Sequence, residues 1–508
     1  MMASVRIFLG MLSRRPVPLW LAAAAMLSLL LTVQVFRDPD VWWHLALGRY
    51  ITDHGIPSAE PFSFVAPARA WVGQQWLYEL SLARIVDAGG PGLASLVMGL
   101  LGTSALVLAA LSTPGFRTVP GPWAAACLLG SALVAGQVLG VRGQVISVLG
   151  VAAVLFILSR WRQGHARVVW ALPPLLLLWS NLHAGFIAGL IIPLVVLTVH
   201  RPARSVTTVG EGDRQAGGAG LARRPLLAAI AAAGAATLLT PAGFELYPYV
   251  AQTFTTPTLT QHIVEWMSPN FHELYPRLLE VEVLLLVAVW LAGNGPEPVD
   301  GVLAGGAFLA TLQAQRNVAL FSVIALPQLL RHGADAWQRH RPRPASPLGP
   351  RHIMALLVGT TAVGVGVVLA IAPGLTRQAA ADYEAATYPR AAIDYVQAHL
   401  GRQRMYTTYE MGGYLAERIP KGRVVFLYGE SAVFGESGLQ RYLGIHLLRA
   451  GWPGVLKHEG LDHAVLPLMA PEASALRELG WSVDCVDTRS GNVVLSRSTG
   501  AHPPPVAC

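Results

Sequence analysis

Charge is scarce in this sequence. Acidic and basic side chains make up 13% of its 508 residues, against 53% hydrophobic, and the mean hydropathy is +0.47. A soluble chain of this length could not cover so much apolar surface with so few charges, which excludes an ordinary water-soluble globule. Cysteine is scarcer still. Its three cysteines (Cys127, Cys485, Cys508) follow neither a disulfide framework nor a metal-ligand spacing. Cys127 falls in an apolar run as a packing residue, and the sequence leaves open whether Cys485 and Cys508 pair outside the cell. There is no internal repeat. Acids are nearly absent from the middles of the apolar runs, whereas an ion-coupled transporter carries ionisable groups at that depth. Nor does a small-residue cleavage site precede Arg37, so the basic-then-apolar start "MMASVRIFLGMLSRRPVPLW" reads as an uncleaved signal anchor.

What the sequence does have is repeated apolar runs of roughly 15 to 20 residues, the length that spans a bilayer as helix. They predict an α-helical polytopic membrane protein with about eleven transmembrane helices. The runs lie near 19–36, 92–111, 123–141, 144–159, 168–180, 183–199, 226–240, 278–293, 301–314, 317–330 and 353–373. The net charge of +8 is a topology signal rather than a nucleic-acid footprint, because the arginines concentrate in particular loops such as "RWRQGHAR" (160–167) and the stretch 200–225. Placing those loops in the cytoplasm puts the N-terminus there too. The outside receives the loop 37–91, the Arg142 turn, the Asn181–His183 tip, the loop 241–277, the Arg316 turn and everything after 373. A transmembrane domain over 1–373 is followed by a soluble extracytoplasmic α/β domain over 382–497. There "YPRAAIDYVQAHL" and "SALRELGW" have helical spacing, "RMYTTY", "RVVFLYG" and "DHAVLPL" read as strands, and "SVDCVD" and "NVVLSR" form a hairpin. The tail 498–508 reads as disordered.

Nearly every unusual polar residue falls on the outer side. In "RDPDVWWHLALGRY" (37–50), Asp38 and Asp40 stand two apart at a helix start. Such a pair can hold a divalent cation (Mg or Mn), take a proton from a hydroxyl, or simply cap the helix. Trp42 and Trp43 read as interfacial aromatics or as a sugar platform, with His44 beside them. "WVGQQWLYEL" (71–80) has the spacing of an amphipathic helix lying on the membrane, with Gln75 and Glu79 able to bind hydroxyls. Glu60 sits in an extended, proline-framed segment. Arg142 beside Gln144, and Arg316 beside Asn317, put guanidinium groups at outer helix ends, where phosphate is their natural bidentate partner. Asn181 and His183 share a tight tip. His262 and Glu265, three apart, have the spacing of one helical face. Carboxylates to deprotonate a hydroxyl, cations to hold a leaving phosphate, and amides and aromatics for a sugar are thus predicted on one side.

The stretches "DPDVWWHLALGRYITDHGIPSAEPFSF", "WVGQQWLYEL", "WSNLHAGFIAGL", "TPAGFELYPYV", "IVEWMSPNF", "QRNVALF" and "YEMGGYLAERIP" together resemble large bacterial multi-spanning proteins related to GT-C glycosyltransferases. That resemblance covers most of the chain. It implies transfer of a sugar, with inversion, from a polyprenyl-phosphate donor to an envelope glycan, lipid or protein acceptor on the outer face of the bacterial inner membrane. It puts the base on Asp38 or Asp40 and the phosphate on Arg142, His183 and Arg316. One departure is "LYGES" (427–431), where relatives tend to carry an Asp-Gly-Arg-like turn. The competing expectation is a non-catalytic membrane protein of envelope-polymer assembly or export.

Overall fold

The computed structural model describes residues 16–65, 71–200, 223–340, 348–401, 403–497 and 506–508. The signal-anchor reading and most of the basic stretch 200–225 concern residues outside these. In chain order the helices are α1 (Val17–Thr32), α2 (Asp40–His54), α3 (Trp76–Leu111), α4 (Gly121–Gly136), α5 (Gln144–Arg162), α6 (Leu172–Leu182), α7 (Ile187–Val199), α8 (Arg223–Ala236), α9 (Leu246–Thr255), α10 (Pro257–His262), α11 (Leu274–Ala292), α12 (Pro298–Gln313), α13 (Val318–His340) and α14 (Pro350–Ile371). After these come α15 (Arg377–Thr387), α16 (Arg390–His399), α17 (Tyr409–Arg418), α18 (Ser431–His446), α19 (Trp452–Glu459) and α20 (Pro471–Glu478). The fold is mostly helical with one small sheet.

Two compact units divide the chain. The first comprises 1–34, 97–243 and 265–372, the second 35–96, 244–264 and 373–508. The first is all helix. Among the described residues three helices, Trp76–Leu111, Gln144–Arg162 and Pro350–Leu375, are long and apolar enough to cross a membrane, and four shorter apolar ones accompany them. The expected eleven spans are thus not matched by eleven helices of full crossing length. Several runs form helices of only 14 to 16 residues, as in α4, α8 and α12. The first helix closes at Thr32, ahead of the expected 36.

Small polar groups hold this unit together where apolar contact offers little selectivity. Thr32 Oγ1 donates to the Gly99 carbonyl at 3.0 Å, and Ser28 and Thr103 pair at 3.1 Å, joining α1 to α3. One acid is nevertheless buried inside an expected span. Glu282 of α11 is buried, with Ser131 of α4 donating to one carboxyl oxygen at 2.6 Å and Ser322 of α13 to the other at 2.7 Å. Both oxygens are occupied, so the group acts as a three-helix tie.

The second unit gathers the loop after α1, α9 and α10, and everything from Pro373 onward. Its sheet has the order β1 (Met405–Thr407), β2 (His463–Pro467), β4 (Asn492–Arg497), β3 (Trp481–Asp487), β5 (Val506–Ala507). β1 and β5 run parallel to their neighbours, and β2–β4–β3 is antiparallel, as the predicted hairpin requires. The helix expected over "YPRAAIDYVQAHL" forms over 390–399; the one expected over "SALRELGW" (474–481) runs instead from Pro471 to Glu478, and Trp481 opens β3. "RVVFLYG" does not become a ladder strand: it makes single bridges from Val425 to Ser63 and to Met405. Of the tail read as disordered, 498–505 lie outside the described residues. Its last part is anchored, because Val506 and Ala507 pair with β3 and Cys508 forms a disulfide with Cys485.

Two expectations of membrane-surface packing fail here. Trp42 and Trp43 are buried inside the second unit. Trp42 is ringed edge-on by Phe36, Tyr388 and Tyr414 at 4.9 to 5.8 Å, and Trp43 lies against His44 and Tyr428. The helix expected over 71–80 begins only at Trp76 and continues to Leu111 with a break at Gly90, ahead of Pro91. Its Tyr78 and Glu79, together with Trp71 just upstream, are buried and so cannot lie on a lipid surface.

Candidate functional site

The second unit builds an acid cluster around the start of α2. Pro39 cannot donate a backbone hydrogen bond, so the chain turns there. Asp38 then serves the turn, its Oδ1 accepting the Asp40 N–H at 2.9 Å. That is the capping role. Asp40 opens the helix in its first turn, where a carboxylate suits the helix dipole. Its carboxyl lies against the backbone of Gly429: a Cβ at that glycine would fall 2.0 Å from Asp40 Oδ1 and 2.4 Å from Trp43 Nε1.

The next residue, Glu430, is a candidate acid that no motif in the sequence singles out. It belongs to the "LYGES" stretch (427–431). Glu430 is buried and accepts from Gln74 Nε2 at 3.3 Å. Burial, reinforced by the Asp40 charge, pushes its carboxyl up to about 8, despite the opposing Gln74 bond. Tyr409 and Ser431 fix the turn through the Gly429 carbonyl, each donating at 3.2 Å.

Several predicted substrate contacts turn out to be internal supports. Glu60 is fully buried, not an exposed acid. It accepts the Phe62 and Ser63 N–H groups at 2.7 and 2.6 Å and the Tyr428 hydroxyl at 2.8 Å, which pins the segment carrying Gly429. Burial raises its carboxyl to about 7 against those three bonds. Glu79 is likewise wholly inside, its oxygens without a hydrogen-bond partner among the described residues and His44 Nδ1 3.5 Å away. His44, Trp43 and Gln75 are buried as well. None of these can touch a substrate from the surface; they shape the wall behind Asp40 and Glu430.

These shifts have a consequence for stability. Unfolded, Glu430 and Glu60 lose their protons near 4.5; folded, they keep them to about 8 and about 7. Above the unfolded value the folded state therefore binds more protons, and stability falls as pH rises through that window, while below it nothing changes. The melting temperature is expected to drop between about pH 5 and pH 8.5, and Glu430→Gln to flatten that drop. A thermal melt followed by circular dichroism across that range checks this; an unchanged slope in Glu430→Gln would sink it.

The divalent-cation expectation meets a different fate. Among the described residues no group of three or more His, Cys, Asp or Glu side chains is placed to hold a metal ion. Asp38 has one oxygen committed to a backbone N–H. That leaves two carboxylates, Asp38 and Asp40, with no third such ligand placed beside them among the described residues.

The first unit holds the predicted cations. Trp179 of α6 sits in a slot made by missing side chains: a Cβ at Gly150 would come within 2.5 Å of its ring, and one at Gly189 within 2.7 Å. So seated, its Nε1 donates to Ser147 Oγ at 2.9 Å, and that hydroxyl donates to His183 Nδ1 at 2.6 Å. The Gly185 N–H also points at Nδ1, at 3.1 Å. Two donors on one nitrogen leave the ring proton on Nε2, so His183 presents a donor. Arg142 meets Glu265 at 2.5 Å, and Arg316 stacks 4.4 Å from the Trp266 ring centre. Burial alone would raise the Glu265 carboxyl, but Arg142 and Arg316 hold it below its ordinary value. Glu265 is thus an anion already lodged among the arginines. It is not on a helical face with His262, which ends α10 while Glu265 lies in a separate short turn over Val264–Trp266. Asn181 and Asn317 are structural: they donate to the carbonyls of Leu177 at 2.8 Å and Ala310 at 3.0 Å, closing helix ends.

No family model matches the chain, and no curated protein does. Among solved structures it is similar to the archaeal oligosaccharyltransferase AglB from Archaeoglobus fulgidus in complex with an inhibitory peptide and a dolichol-phosphate. That match has 12% identity and a TM-score of 0.49, over 95% of this chain and 75% of that one. It is also similar to the Archaeoglobus fulgidus oligosaccharyltransferase in complex with Zn and sulfate, at 15% identity and a TM-score of 0.47, over 88% and 68%. Likeness at this level leaves the activity to be read from the chain's own residues.

Proposed function

We infer that this chain is a GT-C-like membrane glycosyltransferase that takes sugar from a polyprenyl-phosphate donor, with Asp40 as the base. The observation that carries this reading is the asymmetry between neighbouring acids. Asp38 accepts the Asp40 N–H at the helix start and Glu430 keeps its proton at neutral pH, whereas Asp40 is partly exposed, which suits it to accept one. Paired carboxyls with opposite duties are how acid–base sites are made. The acceptor hydroxyl or amide would lose its proton to Asp40 as its heteroatom attacks the anomeric carbon. The bond to the phosphate oxygen then breaks on the opposite face, which inverts the centre. Within the first unit, Arg316, Arg142 and the His183 Nε2–H suit a phosphate group once Glu265 gives way.

The location follows the same logic. The long apolar helices support a polytopic membrane protein, and the Cys485–Cys508 disulfide favours an oxidising, extracytoplasmic place for the C-terminal part. The basic loops then face the cytoplasm of a bacterial inner membrane.

The test uses the purified full chain, a panel of radiolabelled polyprenyl-phosphate sugars and envelope-derived acceptors. Transfer of label by the wild type supports the reading. Arg316→Gln is expected to lower it by about a hundredfold with its melting temperature kept, the scale of removing one charge-stabilising donor. Transfer by wild type that persists undiminished in Arg316→Gln would remove the phosphate role.

A further inference from the structure

The first unit has a second polar end. Arg142, His183 and Arg316 lie at the starts of α5, α7 and α13; Arg162 closes α5, and Asp300 lies in the first turn of α12. A cavity of about 60 Å³ opens at this other end, with Leu158 and Val196 in its apolar wall and Arg162, Asp300, Gln328 and Arg331 around its polar part. By the volume one water needs, that holds several waters or a small headgroup.

Gln328 is the telling residue. It is 5% exposed, and its Nε2 donates to the carbonyls of Asp300 at 3.1 Å and Ile324 at 3.2 Å. Both neighbours are acceptors, so the amide cannot be turned over. Its Oε1 is left buried with no donor among the described residues, a costly arrangement unless something supplies one. Around it the charges are of both signs. Glu297 bridges Arg162 and Arg331, the latter at 2.5 Å, while Asp300 lies 3.4 Å from Arg162 and 3.6 Å from Arg331. Glu297 is the more exposed of the two acids, at 39% against 12% for Asp300. An outside anion could therefore take its place on the guanidinium pair, while Asp300 and Gln328 Oε1 stay as acceptors within.

We propose that this cavity binds the headgroup of a membrane phospholipid that ends in a primary ammonium. The phosphate meets Arg162 and Arg331, the ammonium donates to Gln328 Oε1 and Asp300, and the upper acyl chain follows the apolar wall. A donor is required at one end, an anion beside it and hydrocarbon beyond, and this lipid class supplies all three. The end concerned carries the basic stretch 160–167, so the lipid belongs to the cytoplasmic leaflet. The bound lipid would staple α5, α12 and α13 together.

Native mass spectrometry of the detergent-purified full chain tests this, with phosphatidylethanolamine and phosphatidylcholine of identical acyl chains added back. Retention of phosphatidylethanolamine is expected to exceed that of phosphatidylcholine, which has no N–H, by about tenfold, the worth of one charge-assisted hydrogen bond. Gln328→Leu removes the acceptor and should erase the preference. Leu158→Trp, which fills the cavity from the apolar side, should do the same with Gln328 in place, and keeps the test decisive if Gln328→Leu misfolds. Equal retention of the two lipids by the wild type overturns the proposal, as does a preference that survives both substitutions. Full displacement by millimolar phosphoethanolamine would overturn the lipid assignment.

Discussion

Asp40→Asn is expected to lower sugar transfer by about a thousandfold while leaving the melting temperature within about a degree of wild type, because it removes a general base and little else. The asparagine keeps the size of the side chain and still tolerates the first turn of α2. Asp38→Asn is the contrasting case. Its side-chain oxygen can go on accepting the Asp40 N–H, and asparagine caps a helix about as well as aspartate. Transfer should therefore persist. Asp38→Ala, which loses the cap, should cost about 1 kcal/mol in stability with kcat much less affected. The pair of measurements separates the two acids that the sequence leaves equivalent. If Asp38→Asn abolishes transfer and Asp40→Asn does not, the base has been assigned to the wrong residue.

Gly429→Ala carries the next largest effect. The added methyl would sit 2.0 Å from Asp40 Oδ1, well inside contact distance, and the Trp43 indole blocks escape on the other side at 2.4 Å. The carboxyl must swing away or the turn must back off. Displacing a reacting group by about 1 Å costs on the order of a hundredfold in rate. The loss should appear in kcat. A wild-type kcat in Gly429→Ala would show that Asp40 does not work from this position.

Helix by helix, much of the architecture was legible. Apolar runs bounded by prolines and basic loops give most of the helices, and the alternation around "TRSG" gives the β3–β4 hairpin. The Arg142, His183 and Arg316 turns all stand at helix starts, as their loops suggested. What could not be read was which loops pack with one another. Trp42, Trp43 and Tyr78 carry the same letters whether they face a bilayer interface or a folded interior. Trp42 and Trp43 are covered by Tyr388, Tyr414 and Tyr428, more than 300 residues later in the chain, and Tyr78 packs on His44 beside them. Glu430 was hidden for the same reason: its neighbour Asp40 is remote in sequence, and only Gly429 brings the two together. Glu282 was missed because an acid bound by two serines leaves no sequence pattern that marks the contact.

The make-up of the second unit has a consequence for how the chain is made. Its segments 35–96, 244–264 and 373–508 leave the ribosome far apart in time. The loop with Trp42, Trp43 and Glu60 is finished while the aromatic and hydroxyl partners at Tyr388, Tyr414 and Tyr428 are still to be synthesised. Until then its apolar side chains have nowhere to bury, and closing so long a gap must wait on chain entropy as well as on translation. A nascent chain stalled before residue 373 would display an orphaned, sticky loop, a natural handle for quality-control proteases and chaperones.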